Sequence, residues 1–122
     1  MDDRGRTGAR GERLALRYLR WRGYRLLARN FRCPEGELDL VVRRGTTIVV
    51  VEVRTVTQGF LASPLDSVTP AKRRRVARAA ARWLGLYRPA YARVRFDLLG
   101  IRLKGRWRWS AEWRKDAFGR DG

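Results

Sequence analysis

The chain has no histidine and a single cysteine, Cys33. Those absences exclude, within one chain, disulfide frameworks, Cys/His zinc sites, Ser-His and Cys-His dyads and histidine general bases. Any metal would have to be held by oxygen. Lysine is almost missing too: Lys72, Lys104 and Lys115 are the three present, so 26 of the 29 basic residues are arginine. No apolar run approaches the ~18 residues of a membrane span, and the opening MDDRGRTGARGER is too polar and charged for a secretory signal. The expectation is a cytoplasmic protein with no membrane partner.

Acids are scarce as well, 12 against those 29 bases, which leaves a net charge of +17. Arginine-biased codon usage could supply part of the excess but hardly all of it. A field of that sign attracts polyanions, nucleic acid foremost. Hydrophobic residues make up 44% of the 122, enough for one domain, 1–122, with a core that needs no staple. Residues 1–7 and 119–122 read as flexible ends.

ARGERLALRYLRWRG reads as a helix. Leu14, Ala15, Leu16, Tyr18, Leu19 and Trp21 fill a wide apolar arc, Arg13, Arg17 and Arg20 form a solvated stripe, and Gly23 is the stop. YRLLARNFR is a short strand, CPEGE a turn, and ELDLVVRRGTTIVVVEVRT two strands of a hairpin around RRGTT. VTQGFLASPLDSV is a loop with at most one helical turn. Thr69 and Pro70 then open a second helix that runs to about Gly85 with a basic stripe of Arg75, Arg78 and Arg82. ARVRFDLLGIRL and RWRWSAEW alternate as two further strands. The order α-β-β-β-α-β-β predicts an α/β fold, a mixed sheet of about five strands flanked by helices.

The buried-looking run Ile48 to Val51 leads into Glu52, a costly place for an unpartnered acid. By alternation Ile48, Val50, Glu52 and Arg54 share one face of their strand, and Glu37, Asp39 and Val41 one face of its neighbour. A two-residue loop at Arg44 and Gly45 sets Glu37 opposite Glu52; a four-residue loop from Arg44 to Thr47 sets Asp39 there instead. Either register gathers three carboxylates on one face, whereas a three-residue loop without a bulge scatters them. Such a group calls for a hard divalent cation, Mg²⁺ above all. Glu12 falls on the apolar arc of the first helix and Lys72 on that of the second, in line with Val76, Ala79 and Trp83. An acid near a helix start can be explained by the helix dipole alone; a cation there opposes it.

The succession GARGERLALRYL, GYRLLARNFR, GELDLV, VVVEVRT, TPAKRRR, RFDLL and WRKDAF resembles the bacterial YraN-like family, uncharacterised protein family 0102, from about residue 8 to residue 118. That family looks like a branch of the restriction-endonuclease-like, or PD-(D/E)XK, superfamily and is similar in fold to archaeal Holliday-junction resolvases. The resemblance implies a restriction-endonuclease-like core and a metal-dependent nuclease acting on DNA rather than RNA, branched DNA by analogy, in repair or recombination. It implies Asp39, Glu52 and the Val53 carbonyl as ligands of Mg²⁺ or Mn²⁺, and Glu12 as the acid of the first helix. Glu37 belongs to the family's Gly-Glu-x-Asp motif, and Lys72 stands where the family often has a lysine. Resolvases of similar fold are dimers, so a homodimer is expected. The helix stripes Arg13, Arg17, Arg20 and Lys72, Arg75, Arg78, Arg82 would hold the nucleic-acid backbone.

One position departs from the superfamily pattern. Arg54 stands where the motif carries a lysine two residues after the second acid. An arginine stays protonated and cannot serve as a general base near neutral pH, although it can clamp a phosphate and stabilise developing charge. The alternative expectation is therefore a non-catalytic nucleic-acid-binding module on the same fold; a protein adaptor for an acidic partner is a third, weaker one. Trp107, Trp109 and Trp113 fall on one strand face with Ala111, and Arg106, Arg108 and Arg114 on the other. The interleaving would suit stacking on unpaired bases, but a half-buried strand with its aromatics in the core is the simpler expectation. Cys33 has no second cysteine or histidine to activate it.

Overall fold

The computed structural model describes residues 3–57, 63, 65 and 68–118. In chain order they form α1 (Asp3–Trp21), β1 (Arg25–Cys33), β2 (Gly36–Arg44), β3 (Thr47–Thr57), α2 (Pro70–Tyr87), β4 (Arg93–Leu103) and β5 (Trp109–Arg114). The strands make one sheet in the order β1-β2-β3-β4-β5. β3 and β4 are parallel and every other neighbouring pair is antiparallel. The parallel pair needs a crossover, and α2 supplies it. The expected mixed sheet flanked by helices is thus what forms.

Two cores lie on the two sides of the sheet. Leu14, Ala15, Leu16 and Leu19 of α1 meet Leu40, Val42, Val49, Val51, Leu99 and Ile101 on one side. Val76, Ala79, Ala80 and Trp83 of α2 meet Leu38, Val41, Ile48, Val50, Phe96 and Leu98 on the other. The Ile48 to Val51 run is apolar without alternation because β3 is covered on both faces. Each fully buried aliphatic side chain contributes about 1.5–3 kcal/mol relative to exposure.

Local chemistry sets the ends of the elements. The Thr69 hydroxyl accepts the Lys72 N–H at 3.2 Å, Pro70 takes the first helical position, and α2 runs through Gly85 to a left-handed cap at Arg88, whose N–H reaches Leu84 O. α1 stops at Gly23 (φ +87°), with Tyr24 N–H bonded back to Leu19 O. It starts at Asp3, earlier than the apolar pattern shows, so residues 3–7 are helical; 1–2 and 119–122 lie outside the described residues. Trp21 does not join the apolar arc: it is 86% exposed. At 3.6 residues per turn it sits about 160° around the helix from Leu19, which is wholly buried. Most of the expected loop at 56–68 also lies outside the described residues, although Leu65 and Val68 are buried in the α2-side core. Among the described residues no helix is long and apolar enough to cross a membrane.

Two irregularities shape the sheet where it matters. The β2–β3 turn is Gly45-Thr46, closed by Arg44↔Thr47, with Gly45 at φ +60° as such a tight turn requires. The resulting register is the one expected of the four-residue loop, tightened by one more pair, and its paired stretch ends at Leu40↔Val51. On the other side of β2, Asn30 has φ +53°. Around it, Phe31↔Leu38 belong to the α2-side core while Leu40, partner of Arg29, belongs to the α1-side core. Strict alternation would put Leu38 and Leu40 on one face, so the pleat is broken at the residue between them, Asp39.

Candidate active site

Beyond Leu40↔Val51 the β2–β3 ladder gives way to side chains. The Val53 N–H, which regular pairing would direct to β2 backbone, donates instead to Asp39 Oδ2 at 2.8 Å. The carboxylate therefore takes the place of a ladder carbonyl, and Asp39 is held against the end of the paired register. A strand residue turns its N–H and C=O to the same neighbour, so the Val53 carbonyl also faces the Asp39 side. β3 continues to pair with β4 alone as far as Thr57↔Leu103.

Glu52, the residue after the last paired position Val51, lies beside Asp39 and is 3% exposed. Lys72 Nζ stands 3.6 Å from Glu52 Oε1 and is itself mostly covered. The lysine comes from the first turn of α2, on the same face as Val76, Ala79 and Trp83, where its alignment placed it. Burial, together with the hydrogen bond and like charge of Asp39, pushes the Glu52 carboxyl up to about 9 against the opposing pull of Lys72 and Arg54. Glu12, on α1, is also held above the ordinary carboxylate range, by burial first and then by Asp39, with Arg29 pulling it down and Glu37 pushing it up. Its electrostatic link to Asp39 brings α1 to the same site.

Glu37 does not join the group. It is half exposed and pairs with Arg32 at 3.4 Å across the β1–β2 hairpin. It lines a cavity with Lys72 and Val76 and its charge reaches Glu12, but its carboxylate is held by Arg32. Among the described residues no three histidine, cysteine, aspartate or glutamate side chains come together as a metal cage. What the residues offer a cation is two neighbouring carboxylates, a backbone carbonyl and acceptor atoms left over: Glu52 Oε2 and Glu12 Oε1 are buried without a hydrogen-bond partner. All of these are hard oxygen donors, and a small divalent ion that keeps several waters fits such a set.

Arg13, Arg17, Arg20, Arg75, Arg78 and Arg82 are all exposed, as their stripes predict. Arg82 is already engaged with Glu35 at 3.4 Å. A cavity of about 350 Å³ has Arg32, Glu37, Lys72 and Arg75 in its lining. Sequence reasoning missed Asp97. It is 0% exposed and takes a two-pronged bond from Arg95 (2.9 Å each), with further bonds from Trp113 Nε1 and Asp116 N. An Arg-Phe-Asp spacing that puts both charges on one strand face was the available signal. Its bonds tie β4 to β5 and the turn after it, and so make it part of the frame. Cys33 donates its thiol to Gly36 O at 3.4 Å and does nothing further.

The fold and this site define a class: an α/β protein whose mixed sheet, covered by one helix on each side, opens onto a carboxylate pair, Glu52 buried and Asp39 half-buried, with a lysine against it. The chain belongs to the uncharacterised protein family UPF0102, whose model matches residues 11–101 and so spans Glu12, Asp39, Glu52, Arg54 and Lys72. It is 46% identical over 98 residues to a UPF0102 protein of Geobacter metallireducens, covering 80% of each chain. To one of Alkalilimnicola ehrlichii it is 52% identical over 94 residues, 76% of this chain and 75% of the relative. With one of Bordetella avium the identity is 46% over 108 residues, 88% of this chain and 74% of the relative.

Proposed function

We propose that the chain is a metal-dependent nuclease that hydrolyses phosphodiester bonds of DNA, branched DNA by analogy of fold, with the Asp39–Glu52 pair as its centre. The observation that carries this is a buried acid, Glu52, set against a second acid and retaining an acceptor atom without a partner. Asp39, Glu52 and the Val53 carbonyl would hold Mg²⁺ or Mn²⁺, which when bound supplies charge neutralisation at the phosphate and an acidified water.

The chain's own residues do the rest. The Val53 N–H fixes the Asp39 carboxylate, so its free lone pairs keep one direction. Arg54, on the Glu52 face of β3, supplies a permanent positive charge for the phosphoryl oxygens as negative charge builds on them. Lys72 balances Glu52 and is the one lysine placed to exchange a proton at the site, the role Arg54 cannot fill. Glu12 adds a third acceptor from α1, with Oε1 unpartnered. Exposed arginines of both helices hold the backbone without reading bases. DNA is proposed ahead of RNA, and a homodimer by similarity to the resolvases.

Arg54 also supports a second reading, a nucleic-acid-binding module that keeps the site but has lost the chemistry. Cleavage of labelled linear, single-stranded and four-way-junction DNA separates the two. Divalent-dependent cutting that drops at least about a hundredfold in Asp39→Ala is the expected result. Binding without cutting, with cleavage appearing in Arg54→Lys, would establish the module instead.

A further inference from the structure

Three tryptophans end in different places. Trp109 and Trp113 pack edge-on against Tyr18 in the α1-side core. Trp107, expected on the same strand face, lies before β5 in the β4–β5 hairpin and is 85% exposed. The hairpin is not loose. Arg10 of α1 donates to the carbonyls of Gly105 (3.0 Å) and Arg106 (2.6 Å), pinning the turn against the helix. The Arg106 guanidinium stands 5.7 Å from the centre of the Trp107 ring. Between helix and hairpin is a cavity of about 320 Å³ whose lining includes Arg10, Arg13, Arg17, Arg106, Trp107 and Trp109 and no acid.

A pocket walled by four arginines repels cations and concentrates anions. An aromatic face held at its mouth adds a demand that free phosphate does not meet: a flat π-surface carried on a polyanion. Unpaired nucleotides have both, and base–aromatic stacking tolerates every base. Duplex DNA offers the charge but keeps its base faces stacked on one another. We infer that the α1–hairpin pocket binds unpaired nucleotides, stacking a base on Trp107 and holding the flanking phosphates with Arg10, Arg13, Arg17 and Arg106. This rests on the nucleic-acid partner proposed above, and it defines the substrate further as DNA with a single-stranded segment beside the cleavage point. The hairpin follows the C-terminal end of β4, the end of the sheet toward which the Asp39–Glu52 opening faces. Leu98, opposite Glu52, is five residues before Leu103, a run of about 17 Å along the strand.

The test is binding, read in EDTA so that no cleavage intervenes. Fluorescence anisotropy with a labelled oligothymidylate and a blunt duplex of equal length, at fixed physiological salt, compares wild type, Trp107→Ala, Trp107→Phe and, as an equally exposed tryptophan outside the pocket, Trp21→Ala. Trp107→Ala is expected to weaken oligothymidylate binding about tenfold and duplex binding less than about twofold, while Trp107→Phe keeps most of the affinity and Trp21→Ala changes neither. Trp107 is exposed, so its replacement leaves the cores intact. Equal loss on both probes, or loss on neither, overturns the stacking pocket while cleavage by the wild type still decides the nuclease proposal. No binding of either probe by wild type overturns the nucleic-acid partner and the pocket together.

Discussion

Glu52 is the residue on which stability and activity pull in opposite directions. Its carboxyl is raised to about 9 by burial and by Asp39, whereas in the unfolded chain a glutamate titrates near ~4.3. Below that value both states are protonated and the residue costs nothing. As pH rises the unfolded chain loses the proton first, the native state binds more protons, and stability falls until the native carboxyl ionises as well. Metal-free protein is therefore expected to lose stability between about pH 4.3 and pH 9. Glu52→Gln should flatten that slope and be more stable at pH 8 by upward of ~1 kcal/mol, as read by urea denaturation in EDTA. Mg²⁺ should raise the Tm of the wild type at pH 8 and leave that of Glu52→Gln where it was. A wild type no less stable at pH 8 than at pH 5 would mean that Lys72 neutralises Glu52 fully and that no place is held for a cation.

Among the elements, α1 and β3 are in closer contact than their side chains would ordinarily permit. A Cβ at Gly11 would fall 1.8 Å from Thr55 Oγ1 and 2.8 Å from Thr55 Cβ. That contact fixes the height of α1 over β3 and hence the position of the next residue, Glu12, over Asp39. Gly11→Ala gains about 1 kcal/mol in helix propensity, yet it is expected to destabilise the protein by about 1–3 kcal/mol net through overpacking. Thr55→Ala should recover part of that loss in a double-mutant cycle. A stabilised Gly11→Ala would show that the helix can lift off the strand at no cost. The same junction marks the limit of legibility in the sequence. Element order, the Thr69-Pro70 start of α2 and the inward face of Lys72 follow from local pattern and turn chemistry, whereas the sequence leaves the β2–β3 register open between two loop lengths and the Gly45-Thr46 turn decides it. The pleat break at Asp39, which sends Leu38 and Leu40 to opposite cores, does not follow from local pattern, because strict alternation is the assumption that it violates. Nor does the exposure of Trp107, since an apolar residue in an alternating run looks buried until the length of β5 is known. Asp97 shows only half of its role locally: Arg95 is two residues away, whereas its partners Trp113 and Asp116 are distant in sequence.

At the scale of the whole molecule, the charge is divided. α1 and α2 cover opposite faces of the sheet, so the solvated stripes Arg13, Arg17, Arg20 and Arg75, Arg78, Arg82 face away from each other. A DNA duplex is stiff over ~50 nm and cannot wrap around one small domain to touch both. A linear duplex therefore uses one stripe at a time, and losing either stripe leaves the other to bind, with affinity falling by no more than about twofold if the two are equivalent. Diverging arms of a four-way junction can lie on both at once. Each phosphate contact contributes about −0.9 to the slope of log K against log salt. Reversing Arg13, Arg17 and Arg20 to Glu should thus reduce the magnitude of the junction's slope by up to ~2.7 and its affinity more than tenfold. Reversing Arg75 and Arg78 should remove up to ~1.8, with Arg82 left out because Glu35 already holds it. Salt titrations of both variants on both substrates decide the matter. If either reversal weakens linear duplex as much as junction, the stripes grip a single arm and the opposed-face geometry does not govern binding; if neither weakens either substrate, the arginines answer to another partner.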